Sequence, residues 1–385
     1  MDRALKNQAS YIGKPASELP TPALLVNLPV LKRNIDRLYA HVDATGVDFR
    51  PHVKTLKTIE VTQMMLRDGK YRGVIASTIC EIQGCIPLVK EGLLDSILYG
   101  LPIYPGALKE LMNLRQEVTI LLMIDNVQQI DLLEQQAGSQ AWDVFIKLDV
   151  GSRRAGVAAG SVAMKQLINY AEASSAVNIH GFYCHAGHSY AGRSQQDAEE
   201  VLHRELTSVM DAAKLLPETR EVVVSIGATP TAHVIQKLTK EAPPNVQVEL
   251  HAGNFGCNDL QQVSTTLVTE ADQAIRVATE VSGVYTDRNE ALVNAGAIAL
   301  SRETSGFPGY GHVVGNGDWN VLRLSQEHGI LGTDTAMKVD EHFKVGQRVD
   351  LYVNHTCITA AAFYVYFVVD EEDVVRETWV PWKGW

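Results

Sequence analysis

The sequence predicts an α/β chain in which a (β/α)8 TIM barrel precedes a separate β domain, and two observations carry this. From about residue 47 to 253, short apolar, β-branched runs alternate with amphipathic stretches. That alternation implies parallel pairing, because parallel strands need crossover connections. After about residue 270 the helical period fades, and alternating aromatic and β-branched runs punctuated by Gly and Pro take over, the pattern of a β domain.

Eight runs read as the barrel strands: Val47–Val53, Gly73–Ser77, Ser96–Tyr99, Val118–Met123, Val144–Asp149, Ile179–Cys184, Val222–Ser225 and Val246–Leu250. Helix-like stretches such as Ile82–Glu91 and Asp197–Leu216 separate them, and Leu31–His41 reads as a helix before the first. Eight units in about 200 residues match a closed barrel; a doubly wound open sheet is the alternative that periodicity leaves standing. The β domain rests on Ala291–Asn294, Val349–Val353 and Phe363–Val369, with Ala23–Val26 as a strand that could join it. The expected division is a barrel over residues 20–270 and a β domain over 271–385, to which residues 1–27 are a possible addition.

Composition narrows the class. A chain of 385 residues with 46% hydrophobic and 21% charged residues fits an ordinary soluble globular protein. A net charge of −11 without a basic run argues against nucleic acid or an anionic membrane as partner. No apolar stretch is long enough to span a bilayer, and the polar first residues lack a signal-peptide core. Five scattered cysteines fit free thiols in a reducing compartment, so the cytoplasm is the expected location.

In such a barrel, chemistry sits at the C-terminal ends of the strands. Lys54, in Arg50-Pro-His-Val-Lys-Thr55, falls directly after the first strand, where a desolvated amine can condense with a carbonyl cofactor. After strands seven and eight come Ser225-Ile-Gly-Ala-Thr-Pro-Thr231 and His251-Ala-Gly-Asn-Phe255. Their small and hydroxyl residues leave backbone N–H groups free for an anion, and these two loops are the usual phosphate site of the fold. A lysine opposite a phosphate cradle points to a phosphate-bearing aldehyde, of which pyridoxal 5′-phosphate is the candidate. Asp149-Val-Gly-Ser-Arg-Arg-Ala-Gly-Val157 projects an arginine after strand five, and Gly181–Tyr190 gathers Tyr183, His185 and His188 after strand six. His188 is placed to act as acid or base. At the far end, His355-Thr-Cys357 would present an imidazole and a thiolate on one face of a strand, a donor pair suited to zinc.

Taken with Leu19–Pro22, Asp259–Gln262, Ser325–Leu331 and Trp382–Trp385, these segments resemble the fold-type III pyridoxal-phosphate enzymes of the D-serine dehydratase and D-threonine aldolase group, nearest the fungal-type dehydratases. The resemblance implies an alanine racemase-like barrel with a β domain, working as a homodimer on a small D-amino acid. It implies that Lys54 carries the cofactor, Arg154 meets the ring nitrogen and Tyr183 lies against the cofactor. It implies that Ser225, Gly227, Thr229, Gly253 and Asn254 hold the phosphate. His355 and Cys357 would hold the metal, zinc in preference to manganese or another divalent cation because cysteine stands where the aldolases tend to carry aspartate. The chain departs from the group at Leu56, where relatives carry histidine, at Phe255, where tyrosine is common, and after Cys357, where Gln-Phe-Pro is missing.

The expected activity is dehydration of a β-hydroxy-D-amino acid, D-serine first, with Lys54 as the base and the metal as the Lewis acid. The alternatives are a D-threonine aldolase, in which His188 or a metal-bound water takes the hydroxyl proton, and a 3-hydroxy-D-aspartate dehydratase or aldolase. A pyridoxal-phosphate carrier is the non-enzymatic alternative.

Overall fold

The computed structural model describes residues 3–136, 140–238 and 242–385. The chain divides into two compact units, Arg37–Gly253 with Gly384–Trp385, and Met1–Asp36 with Asn254–Lys383. The strand β1 (Ala23–Asn27) belongs to the second unit.

The first unit contains β2 (Asp48–Pro51), β3 (Gly73–Ala76), β4 (Ser96–Pro102), β5 (Thr119–Ile124), β6 (Trp142–Asp149), the two-residue β7 (Val157–Ala158), β8 (Val177–Cys184), β9 (Val222–Ile226) and β10 (Val246–Ala252). All but β7 form one parallel sheet in the order β2-β10-β9-β8-β6-β5-β4-β3. A parallel bridge between His52 and Ile75, with the Val53 N–H on the Ile75 carbonyl at 3.0 Å, joins β2 to β3 and closes the ring. The open-sheet alternative is thereby excluded. Strands such as β5 and β6 are buried at nearly every position, as a parallel sheet covered on both faces requires.

The helices between strands start where a hydroxyl can cap them. Thr58, Thr78, Ser161 and Ser194 each accept the N–H three residues on, a contact of about 1 kcal/mol. Those caps explain why the helices expected at Ile82–Glu91 and Asp197–Leu216 begin earlier, as Ile79–Lys90 and Gln195–Ala213.

The barrel interior has an apolar sector of Ile75, Leu98, Leu121, Met123 and Phe145, joined by Tyr183. Between β2, β9 and β10 it is polar. Arg50 Nε donates to Glu249 at 2.8 Å, and Ser225 Oγ donates to the other oxygen of that carboxylate at 2.8 Å. Gly73 makes room for this: a β-carbon there would stand 2.3 Å from Arg50 Nη1.

The second unit is built on β1 and on β11 (Ile275–Tyr285), β12 (Glu290–Val293), β13 (Gly311–Val313), β14 (Asn316–Leu324), β15 (Gly329–Gly332), β16 (Arg348–Val353), β17 (Tyr366–Val369) and β18 (Val375–Trp379). Six strands close on themselves in the order β12-β15-β14-β13-β16-β11, with β11 pairing back to β12, and β1, β17 and β18 extend that ring. The expectation that Ala23–Val26 joins the β sheet holds, since β1 lies antiparallel to β11 and parallel to β17. Ala23 and Leu25 pack with Ala278, Val365, Phe367 and Val369 in the core beneath.

One local expectation fails. His355-Thr-Cys357 does not lie on a strand: β16 ends at Val353, and Thr356–Ala362 is a helix with His355 as its extended N-cap residue. The buried Asp259 accepts the Thr356 N–H at 2.9 Å, and Thr356 Oγ1 donates to the Asn258 carbonyl at 2.8 Å. A remote carboxylate thus caps the helix, a partner that local β propensity does not reveal. The same helix delays the strand read at Phe363–Val369, which pairs only from Tyr366.

Candidate active site

In the barrel unit, the residues singled out from the sequence lie at or just after the C-terminal ends of the strands, Tyr183 on β8 and Ser225 on β9. Lys54 sits in the turn after β2, its N–H donating to His52 Nδ1 at 3.3 Å. Arg154 follows β6 on a loop held by Asp149, whose Oδ1 accepts the N–H groups of Gly151 and Arg153 at 2.9 and 3.1 Å. The charges of Lys54 and Arg154 both oppose protonation of His52 and His185. Two cations contributed from distant parts of the sequence therefore bear on the same histidines.

A third cation escaped the sequence reading. Lys147, inside the apolar run of β6, is 4% exposed, and its Nζ lies 4.6 Å from the ring centroid of Tyr183, a cation–π distance. Burial, with Arg154 and Lys54 adding to it, lowers the Lys147 pKa to about 8.

Tyr183 is buried and stacks on His251, with ring centroids 4.1 Å apart and planes 9° from parallel. Burial holds the Tyr183 phenol well above its ordinary pKa. His251 Nδ1 meets Ser225 Oγ at 3.0 Å. Since that hydroxyl donates to Glu249, His251 donates at Nδ1. Its Nε2 is buried without a hydrogen-bond partner of good geometry. His185 Nδ1 faces the Gly227 carbonyl at 2.9 Å. Burial keeps His52, His185 and His251 well below the ordinary imidazole pKa. His188 stands on the short turn Gly187–Ala191, and both its ring nitrogens are buried without a hydrogen-bond partner.

The two glycine loops are close-fitted. Gly227 has φ +146°, and a β-carbon there would meet the His251 carbonyl at 2.1 Å. At Gly253 a β-carbon would come within 3.2 Å of the His52 carbonyl and 3.4 Å of Thr55 Oγ1, so this loop touches the Lys54 turn. Thr229 is buried at the start of the helix Thr229–His233. Ser225 is fully buried, with its hydroxyl committed to Glu249 and His251. Asn254 falls in the second unit, where its amide donates to Asp259 at 2.6 Å.

Also in the second unit, His355 and Cys357 are hydrogen-bonded to each other, and His355 Nδ1 lies 3.3 Å from Glu303 Oε2. Burial lowers the His355 pKa, but Cys357, Asp259 and Glu303 outweigh it and raise it to about 9. Among the described residues, no three His, Cys, Asp or Glu side chains are arranged to hold a metal ion. The imidazole–thiol pair has the donor chemistry that zinc prefers and leaves further coordination positions open.

Pyridoxal phosphate fits what the barrel presents: the cations Lys54, Lys147 and Arg154 for an anionic ligand, and two glycine loops that bring backbone close to the Lys54 turn and to His251. Comparison with known proteins agrees. The family model for the alanine racemase N-terminal domain matches residues 26–242, and that described as "Putative serine dehydratase domain" matches 274–369. D-serine dehydratase of Schizosaccharomyces pombe is 42% identical over 97% of this chain and 94% of its own length. That of Saccharomyces cerevisiae is 30% identical over 98% and 99%. Among solved structures, D-threo-3-hydroxyaspartate dehydratase from Delftia sp. superposes with a TM-score of 0.82 at 28% identity, over 96% of this chain and all of that one. Variants of that enzyme altered at a histidine, and at a cysteine two positions further on, are also solved, the cysteine variant in a metal-free form. No helix among the described residues is long and apolar enough to cross a membrane. The chain belongs to the D-serine dehydratase and D-threonine aldolase family, the fold-type III pyridoxal-phosphate enzymes built on an alanine racemase-like barrel.

Proposed function

We propose that this chain is a pyridoxal phosphate- and zinc-dependent lyase that converts D-serine to pyruvate and ammonia. The observation that carries the reading is the opposed character of its two sites, a barrel mouth rich in cations and an imidazole–thiol pair beside carboxylates. Identity of 42% with a D-serine dehydratase along almost the whole chain supports the substrate.

Bound pyridoxal phosphate supplies the electron sink for loss of the α-proton, and zinc supplies Lewis acidity toward the β-hydroxyl. The chain's own residues do the rest. Lys54 holds the cofactor through its Nζ and, once free, takes the α-proton there. Gly227, Thr229, Gly253 and Asn254 receive the phosphate. Ser225, expected to hold the phosphate, instead fixes His251 and Glu249 with its hydroxyl. Tyr183 lies against the cofactor, and Arg154 meets the ring nitrogen as a donor that cannot release its proton. His355 and Cys357 hold the metal; that the homologous dehydratase was obtained metal-free as a cysteine variant supports this. His188 has two free ring nitrogens for moving the hydroxyl proton. Water leaves across Cα–Cβ, and hydrolysis of the unsaturated amine gives pyruvate and ammonia. A homodimer in the cytoplasm completes the reading.

Lys147 favours a second reading. A 3-hydroxy-D-aspartate needs an extra cation for its distal carboxylate, and a buried lysine close to Lys54 and Arg154 could supply it.

The test is a substrate panel on protein loaded with cofactor and zinc. Keto acid and ammonia from D-serine are expected, with loss of both on chelation. Oxaloacetate from 3-hydroxy-D-aspartate in preference would move the assignment to the second reading, and glycine from D-threonine would make the chain an aldolase.

A further inference from the structure

Lys57, the last residue of the Lys54-Thr-Leu-Lys57 motif, has no part in the chemistry above, and its placement is unusual. Its backbone is left-handed, with φ +54°, a conformation that a residue with a β-carbon adopts at a cost that glycine avoids. Its N–H bonds the Val53 carbonyl at 3.0 Å, closing the turn that contains Lys54. Its Nζ lies 3.0 Å from Oε1 of Glu81, a carboxylate with no exposed surface.

Glu81 also reaches the other side of the turn. Its Oε2 accepts the Ser77 N–H at 2.6 Å, while Ser77 Oγ lies 3.2 Å from His52 Nε2. His52 Nδ1 accepts the Lys54 N–H, so the ring proton is on Nε2 and donates to Ser77. Burial holds His52 well below the ordinary imidazole pKa, with the Lys54 charge adding to the effect, and a neutral ring keeps its Nδ1 lone pair. The contacts therefore form a closed circuit. It runs from the Lys54 backbone through His52, Ser77 and Glu81 to Lys57, and back into the turn at Val53. Glu81 itself is fixed on its helix, where its N–H donates to Thr78 Oγ1 at 3.1 Å.

We infer that Glu81 and Lys57 are positioning residues for the reactive lysine, a half-buried ion pair that clamps the turn after β2 and fixes where the Lys54 amine stands. The inference rests on the reading that Lys54 carries the cofactor. A left-handed lysine is explained by the work of its side chain; if the turn needed only its backbone shape, glycine would serve better.

The holoprotein tests this with Lys57→Met, Lys57→Gly, Lys57→Arg, Glu81→Gln and the double variant Lys57→Met/Glu81→Gln. Removing either partner is expected to lower kcat by about tenfold to a hundredfold, the scale of a misplaced reacting group, with KM for D-serine little changed. Lys57→Arg should restore most of kcat, and the double variant should be no worse than the worse single one. Lys57→Gly should be as impaired as Lys57→Met although it relieves the backbone. The melting temperature of each variant separates this from loss of folding. Wild-type kcat in Lys57→Gly, or losses that multiply in the double variant, would overturn the clamp. Borohydride reduction of the wild type that labels a lysine other than Lys54 would overturn the underlying reading, whatever the variants do.

Discussion

The barrel mouth and the His355 cluster both hold buried or half-buried imidazoles, yet they shift them in opposite directions. In the barrel, burial lowers His52, His185 and His251, and the charges of Lys54, Lys147 and Arg154 add to the effect. In the second unit burial pulls His355 the same way, but Cys357, Asp259 and Glu303 reverse the outcome and raise it to about 9. The difference lies in the neighbours. One region sets Lys54, Lys147 and Arg154 against its imidazoles, as a site for a phosphate-bearing ligand should. The other collects thiol and carboxylate around an imidazole, as a site for a cation should.

Lys54→Ala should break the barrel half of this contrast most completely. Turnover is expected to fall by about 10⁴-fold, the upper range for a lost acid–base group, and borohydride should no longer fix cofactor to the chain. His355→Ala or Cys357→Ser should break the other half alone. Zinc affinity and turnover should each fall by about a hundredfold or more, exceeding the usual effect of a residue that only supports a ligand. Cofactor absorbance should persist in both variants; its loss would mean that the two sites are not independent.

Two titrations sharpen the contrast without touching turnover. The Lys147 pKa of about 8 lies below the ordinary 10.5. Between those values the unfolded chain holds a proton that the folded chain has released, so stability rises with pH across that window and is lowest below it. Lys147→Met should abolish the rise and stabilise the protein at neutral pH by up to about 3 kcal/mol. A denaturant series at pH 7 and 10 would measure both effects. Glu205 has the opposite sign. Burial, which outweighs its hydrogen bonds to Thr231 and to the Ala186 and Gly227 N–H groups, raises its pKa to about 7 from an ordinary 4.5. The folded chain then keeps a proton that the unfolded chain loses, and stability falls as pH rises through that interval. Glu205→Gln should flatten that slope, which amounts to at most about 3 kcal/mol; an unchanged slope would place the carboxylate in water.

What the sequence made legible was local. Eight strand runs, the lysine after the first of them and the glycines after the last two depend on near-neighbour patterns, and each recurs in the fold. What it hid depends on partners far along the chain. Arg50 and Glu249 pair across 199 residues, and nothing next to either announces the other. Lys147 was read as one more position in an apolar strand, although a lone lysine inside Val144-Phe-Ile-Lys-Leu was the signal. Glu249 and His251, two apart on β10, share a face, and that pairing was equally available. The strand assigned to His355 and Cys357 failed because Asp259, nearly a hundred residues away, caps a helix there.

Borohydride reduction of the cofactor-loaded protein, followed by peptide mass mapping, tests the central claim most directly, because Lys147 is a second, more deeply buried lysine of the barrel that feels the charge of Lys54. A pyridoxyl group on the peptide containing Lys54 is the predicted result. The same group on the Lys147 peptide, or on neither, would contradict the account.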